Sequence, residues 1–185
     1  MSTVSADTPK RLFLAIWPPE AVVAALRQLP RPTEPGVRWV PPETWHVTLR
    51  FFGEADPGEI TAHLEGARLP AAEAALGPQV ARLGRSVIVV PVSGLDDLAD
   101  AARAATEGVG SFDDPRPFAG HLTLARLRNR SACGVAGTPV TARFDVDEIA
   151  LVASTPTQDG PTYTTLGSFP VPSPGHRDGD PSPAG

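Results

Sequence analysis

The chain has 185 residues, 41% of them hydrophobic, and carries a net charge of −5 with a pI near 5.3. That length allows one ordinary domain or two small fused lobes. The acidic balance argues against a protein that grips long nucleic acid but leaves room for a pocket holding one phosphate. A single cysteine, Cys133, excludes an intrachain disulfide and a cysteine-rich zinc site.

Residues 1–10 are polar, lack the apolar core of a signal peptide and read as a loose tail. No apolar run approaches the length of a membrane span, so no membrane partner and a cytoplasmic location are expected. Leu12–Trp17 is an apolar run suited to a buried strand. Pro18-Pro19-Glu20 then opens a helix over Ala21–Leu29, with Val22, Val23, Leu26 and Leu29 near helical spacing. Val37–Val40 reads as a short strand, Pro41-Pro42 as a turn, and His46–Phe52 as a strand stopped by Gly53. Asp56-Pro57 starts a helix running to about Leu69.

The same order then returns. Ser86–Val92 is a β-branched apolar strand, and Asp96–Ala105 a helix with a cap expected at Ser93 or Asp96. Phe118–Leu127 is a strand containing His121-Leu122-Thr123-Leu124. Ile149–Ser154 and Tyr163–Phe169 follow as strands around the turn Gln158-Asp159-Gly160. Residues 171–185, rich in Pro, Gly and Asp, read as a disordered tail that takes His176 out of the chemistry. Strand, helix and H-x-T-L strand thus occur twice, with the histidines 75 positions apart, too long a period for a solenoid. We expect an α+β fold over residues 11–170: a single bilobal domain of duplicated, pseudo-two-fold lobes, mostly antiparallel sheet with helices outside and a central cleft.

Along a strand, residues i and i+2 share a face. His46 and Thr48 therefore point one way and Val47 and Leu49 the other, and likewise His121 and Thr123 against Leu122 and Leu124. One H-x-T-L is a weak signal, because ordinary composition produces such tetrads freely. Two of only four histidines carrying the same continuation in equivalent halves is a strong one. Two imidazoles and two hydroxyls around one cleft suit attack of water on a cyclic phosphodiester, which needs a base for the water, an acid for the leaving oxygen and donors for the phosphoryl oxygens. Arg126 is the candidate cationic fork, although five positions from His121 it points to the opposite face of an ideal strand and has to bend round or sit beyond the strand's end. Phe51, Trp39, Trp45 and Phe118 are candidates for stacking a base, Phe51 foremost, with core packing the alternative for each. Arg38 and Arg50 are placed either at the cleft fringe or in solvent, Tyr163 in the cleft or lobe filling, and His63 on a helix surface.

The sequence resembles the 2H phosphoesterases, in particular the LigT-like RNA 2′,3′-cyclic phosphodiesterases, also called 2′-5′ RNA ligases. The likeness runs over about residues 11–170 and is carried by Arg11–Ile16, by Val37-Arg38-Trp39-Val40 with Pro41-Pro42-Glu43, by His46–Gly53, by His121–Arg126, and by Ile149–Ser154 with Gly160 and Tyr163. It implies cofactor- and metal-independent opening of 2′,3′-cyclic phosphate ends of RNA or small nucleotides to 2′-phosphomonoesters, with weak reverse 2′-5′ ligation. It also implies His46 and His121 as the catalytic pair, and Thr48, Thr123 and Arg126 as phosphate contacts. The 2′-phosphate product leans His46 toward the acid and His121 toward the base; the near-symmetry of the site leaves the order open. Gly120 departs from the pattern, which often has proline there, and residues 71–85 match it poorly.

Other classes fit less well. A zinc hydrolase wants three convergent ligands, and no H-E-x-x-H occurs. A ligase working through a lysyl-nucleotide needs a core lysine, and the only lysine is Lys10. The remaining alternative is a non-catalytic RNA-end or nucleotide-binding module on the same fold. A monomer is expected.

Overall fold

The structure is a computed structural model that describes residues 11–112, 114–128, 131–158 and 160–174. The elements run β1 (Arg11–Ile16), α1 (Glu20–Arg27), β2 (Val37–Trp39), β3 (Val47–Glu54), α2 (Pro57–Glu65), β4 (Glu73–Leu76), β5 (Ala81–Leu83), β6 (Val87–Ser93), α3 (Asp96–Ala105), β7 (His121–Leu127), β8 (Ala142–Asp145), β9 (Glu148–Thr157) and β10 (Gly160–Pro170). A single 3-10 turn, Pro42–Thr44, leads into β3. The tail predictions for 1–10 and 175–185 lie outside the described residues. Val171 packs into the core and its amide donates to the Asp147 carbonyl, so ordered chain continues past 170.

Among the described residues ten strands form one curled sheet, in the order β10-β9-β1-β3-β7-β6-β4-β8, with β2 added beside β7 and β5 beside β6. Each of these pairings is antiparallel. The expected α+β class with a mostly antiparallel sheet is the one observed. Three strands, β4, β5 and β8, have no counterpart in the sequence prediction. They are short, half-exposed and built partly from alanine and charged residues, so no period-2 apolar signal marks them.

Two-fold duplication is explicit in the register. On one side of the seam Ile16 pairs Val47, Ala15 pairs Thr48, Leu14 pairs Arg50 and Phe13 pairs Phe51. On the other Val90 pairs Leu122, Val89 pairs Thr123, Ile88 pairs Ala125 and Val87 pairs Arg126. Even the irregularity recurs: Leu49 in β3 and Leu124 in β7 each stand as one extra residue between paired neighbours. The helices are exchanged between lobes, since α1, which follows β1, touches β8, and α3, which follows β6, touches β3.

One sheet face carries the main core: Leu12, Leu14, Ile16, Val47, Leu49, Phe52, Leu122 and Leu124 pack beneath Val22 and Leu26 of α1, Ile60 and Leu64 of α2, and Leu98 and Ala102 of α3. The buried positions of α1 explain its extent, while α2 starts where Pro57 sits at the first turn and the Asp56 carboxylate accepts from the Gly58 amide at 2.7 Å. The expected side-chain cap of α3 is not found. Leu95 stands at its N-cap, and Asp96 and Asp97 in the first turn favour the positive end of the helix dipole instead. Among the described residues the opposite sheet face holds a second, small cluster, Phe13, Ala15, Ala150 and Val152 with Trp17 and Tyr163 against it.

Candidate active site

The two lobes meet where β3 pairs β7, through the residues Val47 and Leu122. Each is the residue that follows a motif histidine. Antiparallel direction around this pair sets His46 across from Thr123 and His121 across from Thr48. The two imidazoles are then diagonal neighbours on one face, a relation that spans about 7–8 Å. A phosphorus atom fits between rings so placed.

Each ring is fixed in the same way. His46 Nδ1 lies 2.7 Å from the Thr44 carbonyl, and His121 Nδ1 lies 2.7 Å from the Ala119 carbonyl, two residues upstream in both cases. A carbonyl only accepts, so both Nδ1 atoms donate, and in each neutral ring Nε2 is the nitrogen with the free lone pair. The surroundings differ. His46 is enclosed by Phe13, Trp17 and Tyr163, with ring centroids 5.0, 5.4 and 5.1 Å away. Burial among these rings pushes the His46 pKa below its ordinary value; the charges of His121 and Arg126 push the same way, and the bond to Thr44 opposes them.

Arg126 reaches the cleft by a route that strand periodicity alone does not give. The extra residue at Leu124 is a β-bulge, and it advances the alternation by one, so that Leu124 and Ala125 are both buried and Arg126 emerges on the face of His121 and Thr123. No bending at the strand's end is needed. The bulge at Leu49 does the same for Phe51, which is 52% exposed on the face of His46 and Thr48. Phe51 and Arg126 are thus equivalent by the pseudo-two-fold axis, each five residues after its histidine. The cleft has an aromatic lobe, with the Phe51 ring tilted against Phe13 at 5.6 Å between centroids, and a cationic lobe. Arg126 also bears on Tyr163, whose hydroxyl burial pushes up in pKa and Arg126 pulls back.

The other sequence candidates distribute as follows. Arg50 belongs neither to the cleft nor to solvent. It is 7% exposed, and its guanidinium donates to the Arg103 carbonyl and Thr106 Oγ1 at 2.8 Å and to the Val109 carbonyl, tying β3 to the end of α3. The bulge turns it inward, where its counterpart in β7 is Ala125. Trp45 is buried in the core under the Arg31 guanidinium. Trp39 and Phe118 are partly buried and pack against the core, so of the four stacking candidates Phe51 is the one whose ring is largely exposed. His63 is exposed on α2, with Nδ1 2.9 Å from the Ala105 carbonyl. Arg38 is exposed and pairs with Arg126 across β2 and β7. At Gly120 an added Cβ would fall 2.3 Å from the Val92 carbonyl oxygen, so neither proline nor any other side chain fits this backbone. Phe13 and Trp17, which wall His46, went unrecognised as site residues: β1 is apolar on both faces, and its run gives no sign of which side lines a cleft. Among the described residues no group of three or more His, Cys, Asp or Glu is arranged to hold a metal ion, and no helix is long and apolar enough to cross a membrane.

A family model described as LigT like phosphoesterase matches residues 16–76, the stretch that contains the first motif. A Thermus thermophilus protein named RNA 2′,3′-cyclic phosphodiesterase is 34% identical over 181 residues, covering 86% of this chain and 89% of its own length. A Geobacillus stearothermophilus protein of the same name is 30% identical over 149 residues, 72% of this chain and 47% of that protein. Among solved structures, one of a Thermus thermophilus protein superposes with a TM-score of 0.71 at 30% identity, over 89% of this chain and 99% of that one. The structure of E. coli LigT complexed with 3′-AMP superposes with a TM-score of 0.72 at 28% identity, over the same shares of each chain.

Proposed function

Since the chain belongs to the LigT-like 2H phosphoesterases, a family of RNA 2′,3′-cyclic phosphodiesterases, we propose that His46 and His121 are the acid and base with which it hydrolyses a 2′,3′-cyclic phosphate. It is an enzyme of the phosphoric diester hydrolase class. The observation that carries the residue assignment is the seam: one antiparallel pair, Val47 with Leu122, brings both motif rings to one face with both Nδ1 atoms already donating.

In this reading the phosphorus lies between the rings. Thr48 and Thr123 donate hydroxyl hydrogens to its non-bridging oxygens, and Arg126 offers a planar fork to the same charge. The nucleoside lies over the aromatic lobe with its base on Phe51. The leaving ribose O3′ is then on the side of His46, and in-line attack brings water from the side of His121. His121 Nε2 takes the water proton, the new P–O bond forms, the P–O3′ bond breaks, and His46 delivers its Nε2 proton to O3′. The product is a 2′-phosphomonoester with a free 3′-hydroxyl. Burial that disfavours the charged form of His46 makes it the readier proton donor once charged. A 5′-hydroxyl in the place of water would give a 2′-5′ linkage by the same steps. Neither proton transfer calls on a metal or a cofactor.

Turnover of a 2′,3′-cyclic nucleotide in ¹⁸O-water tests the reading. Incorporation of one ¹⁸O per molecule into a 2′-monophosphate is expected. Saturable binding without product would leave the chain a nucleotide-binding module.

A further inference from the structure

Arg38 has no part in the mechanism above, yet it stands directly across from Arg126 in the β2–β7 ladder. Paired residues of an antiparallel ladder project to the same face, and Arg126 is on the cleft face. Two guanidinium side chains therefore leave the sheet side by side, from Cα positions about 5 Å apart.

The position of Arg38 along the cleft gives the anion its identity. β7 pairs β6 along one edge; Val47 of β3 and Arg38 of β2 both lie along the other. β2 therefore continues the line of β3 beyond His46, and Arg38 and Phe51 stand at opposite ends of that line, with the two histidines between them. Arg38 is exposed, and its Nη2 lies 2.7 Å from where a Cβ on Gly160 would be, so its guanidinium extends over the cleft end toward the start of β10. The bare glycine leaves room for it there. Three residues along β10, Tyr163 touches His46.

We propose that Arg38 holds the internucleotide phosphate on the 5′ side of the cyclic end, so that the site prefers the end of an oligoribonucleotide to a free cyclic mononucleotide. This rests on the reading of the site given above. With the terminal base on Phe51 and the cyclic phosphate between the histidines under Arg126, the chain leaves along the β3 line toward Arg38, and the next phosphate meets the Arg38 guanidinium. A planar guanidinium gives this diester the paired donors that its two free oxygens accept. The acidic protein thereby reads one additional phosphate without a basic surface.

The test compares kcat/KM for a cyclic mononucleotide, for a dinucleotide ending in the same cyclic nucleotide, and for that dinucleotide with a neutral methylphosphonate linkage, in the native protein and in Arg38→Gln. The native protein is expected to favour the charged dinucleotide over the mononucleotide by at least about tenfold, the scale of one hydrogen bond to a charged group. Arg38→Gln and the methylphosphonate each bring that ratio close to one, and together they lower it no further. A native ratio near one, a methylphosphonate dinucleotide as good as the charged one, or persistence of the ratio in Arg38→Gln would overturn the proposal. So would an equal fall on mononucleotide and dinucleotide, which marks Arg38 as a structural tie between β2 and β10. The methylphosphonate comparison needs only the native protein and stands even where the variant fails to fold. Failure of the native protein on all three substrates would overturn the catalytic reading instead.

Discussion

Val47 and Leu122 pair across the seam between the lobes, and each is the immediate successor of a motif histidine. This single contact makes the site symmetric: it puts Thr123 beside His46, Thr48 beside His121, and the two imidazoles on one face. What breaks the symmetry is the residue five places after each histidine, phenylalanine on one strand and arginine on the other. In the proposed reading, that difference orients the substrate and separates the roles of the two rings.

The acid role of His46 predicts selective chemical rescue. A 2′,3′-cyclic substrate with sulfur in place of the bridging O3′ has a leaving group that departs without a proton. On this substrate the loss caused by His46→Ala should shrink by at least about tenfold, while the loss caused by His121→Ala stays. Comparing kcat/KM for oxygen and sulfur substrates checks this. Rescue of His121→Ala in place of His46→Ala would exchange the two roles.

Burial predicts a His46 titration midpoint, read by NMR from the ring C–H signals, below the ordinary value of about 6.5. Replacing Arg126 by Gln should raise that midpoint, because the arginine charge disfavours the imidazolium. The sign for stability follows. Below pH of about 6.5 the unfolded ring takes up a proton that the native ring still resists, so the unfolded state binds more protons and stability declines on acidification. A midpoint above the ordinary value would contradict the enclosure of His46 by Phe13, Trp17 and Tyr163.

Phe51 is the predicted platform for the terminal base. Stacking contributes about 1–3 kcal/mol per base, so Phe51→Ala should lower kcat/KM on a purine cyclic nucleotide by between about 5- and 160-fold, chiefly through KM. Phe51→Trp should retain most of the activity. Indifference of KM to Phe51→Ala would move the base elsewhere.

Arg50 is predicted to matter for stability and not for catalysis. Arg50→Met removes the donor that satisfies the Arg103 and Val109 carbonyls and Thr106 Oγ1 inside the lobe. Unfolding in urea should give a loss of about 2 kcal/mol or more, with activity per folded molecule retained. An unchanged midpoint would mean that water replaces the guanidinium.

The parts of this molecule written in apolar periodicity were legible in its sequence. The helices α1 and α3 and both motif strands announce themselves through buried positions near spacing 3.6 or 2, β6 through a continuous β-branched apolar run, and the repeated H-x-T-L singled out four residues that the fold gathers at one seam. The bulges were not legible, because an extra residue at Leu49 or Leu124 leaves no composition cue, yet each one changes which side of the sheet its successors face. Strand alternation therefore sent Arg126 to the wrong side and left Arg50 near the cleft. Phe13 and Trp17 were hidden for a different reason: a strand covered on both faces does not say which of its side chains meets the substrate.

Proton transfer between two histidines is most directly tested by ³¹P NMR of a 2′,3′-cyclic nucleotide incubated, in the presence of EDTA, with the native protein, with His46→Ala and with His121→Ala. The account predicts steady conversion to the 2′-monophosphate by the native protein and a loss of at least about 10²-fold in each variant. Turnover abolished by EDTA, or either variant working at close to the native rate, would contradict it.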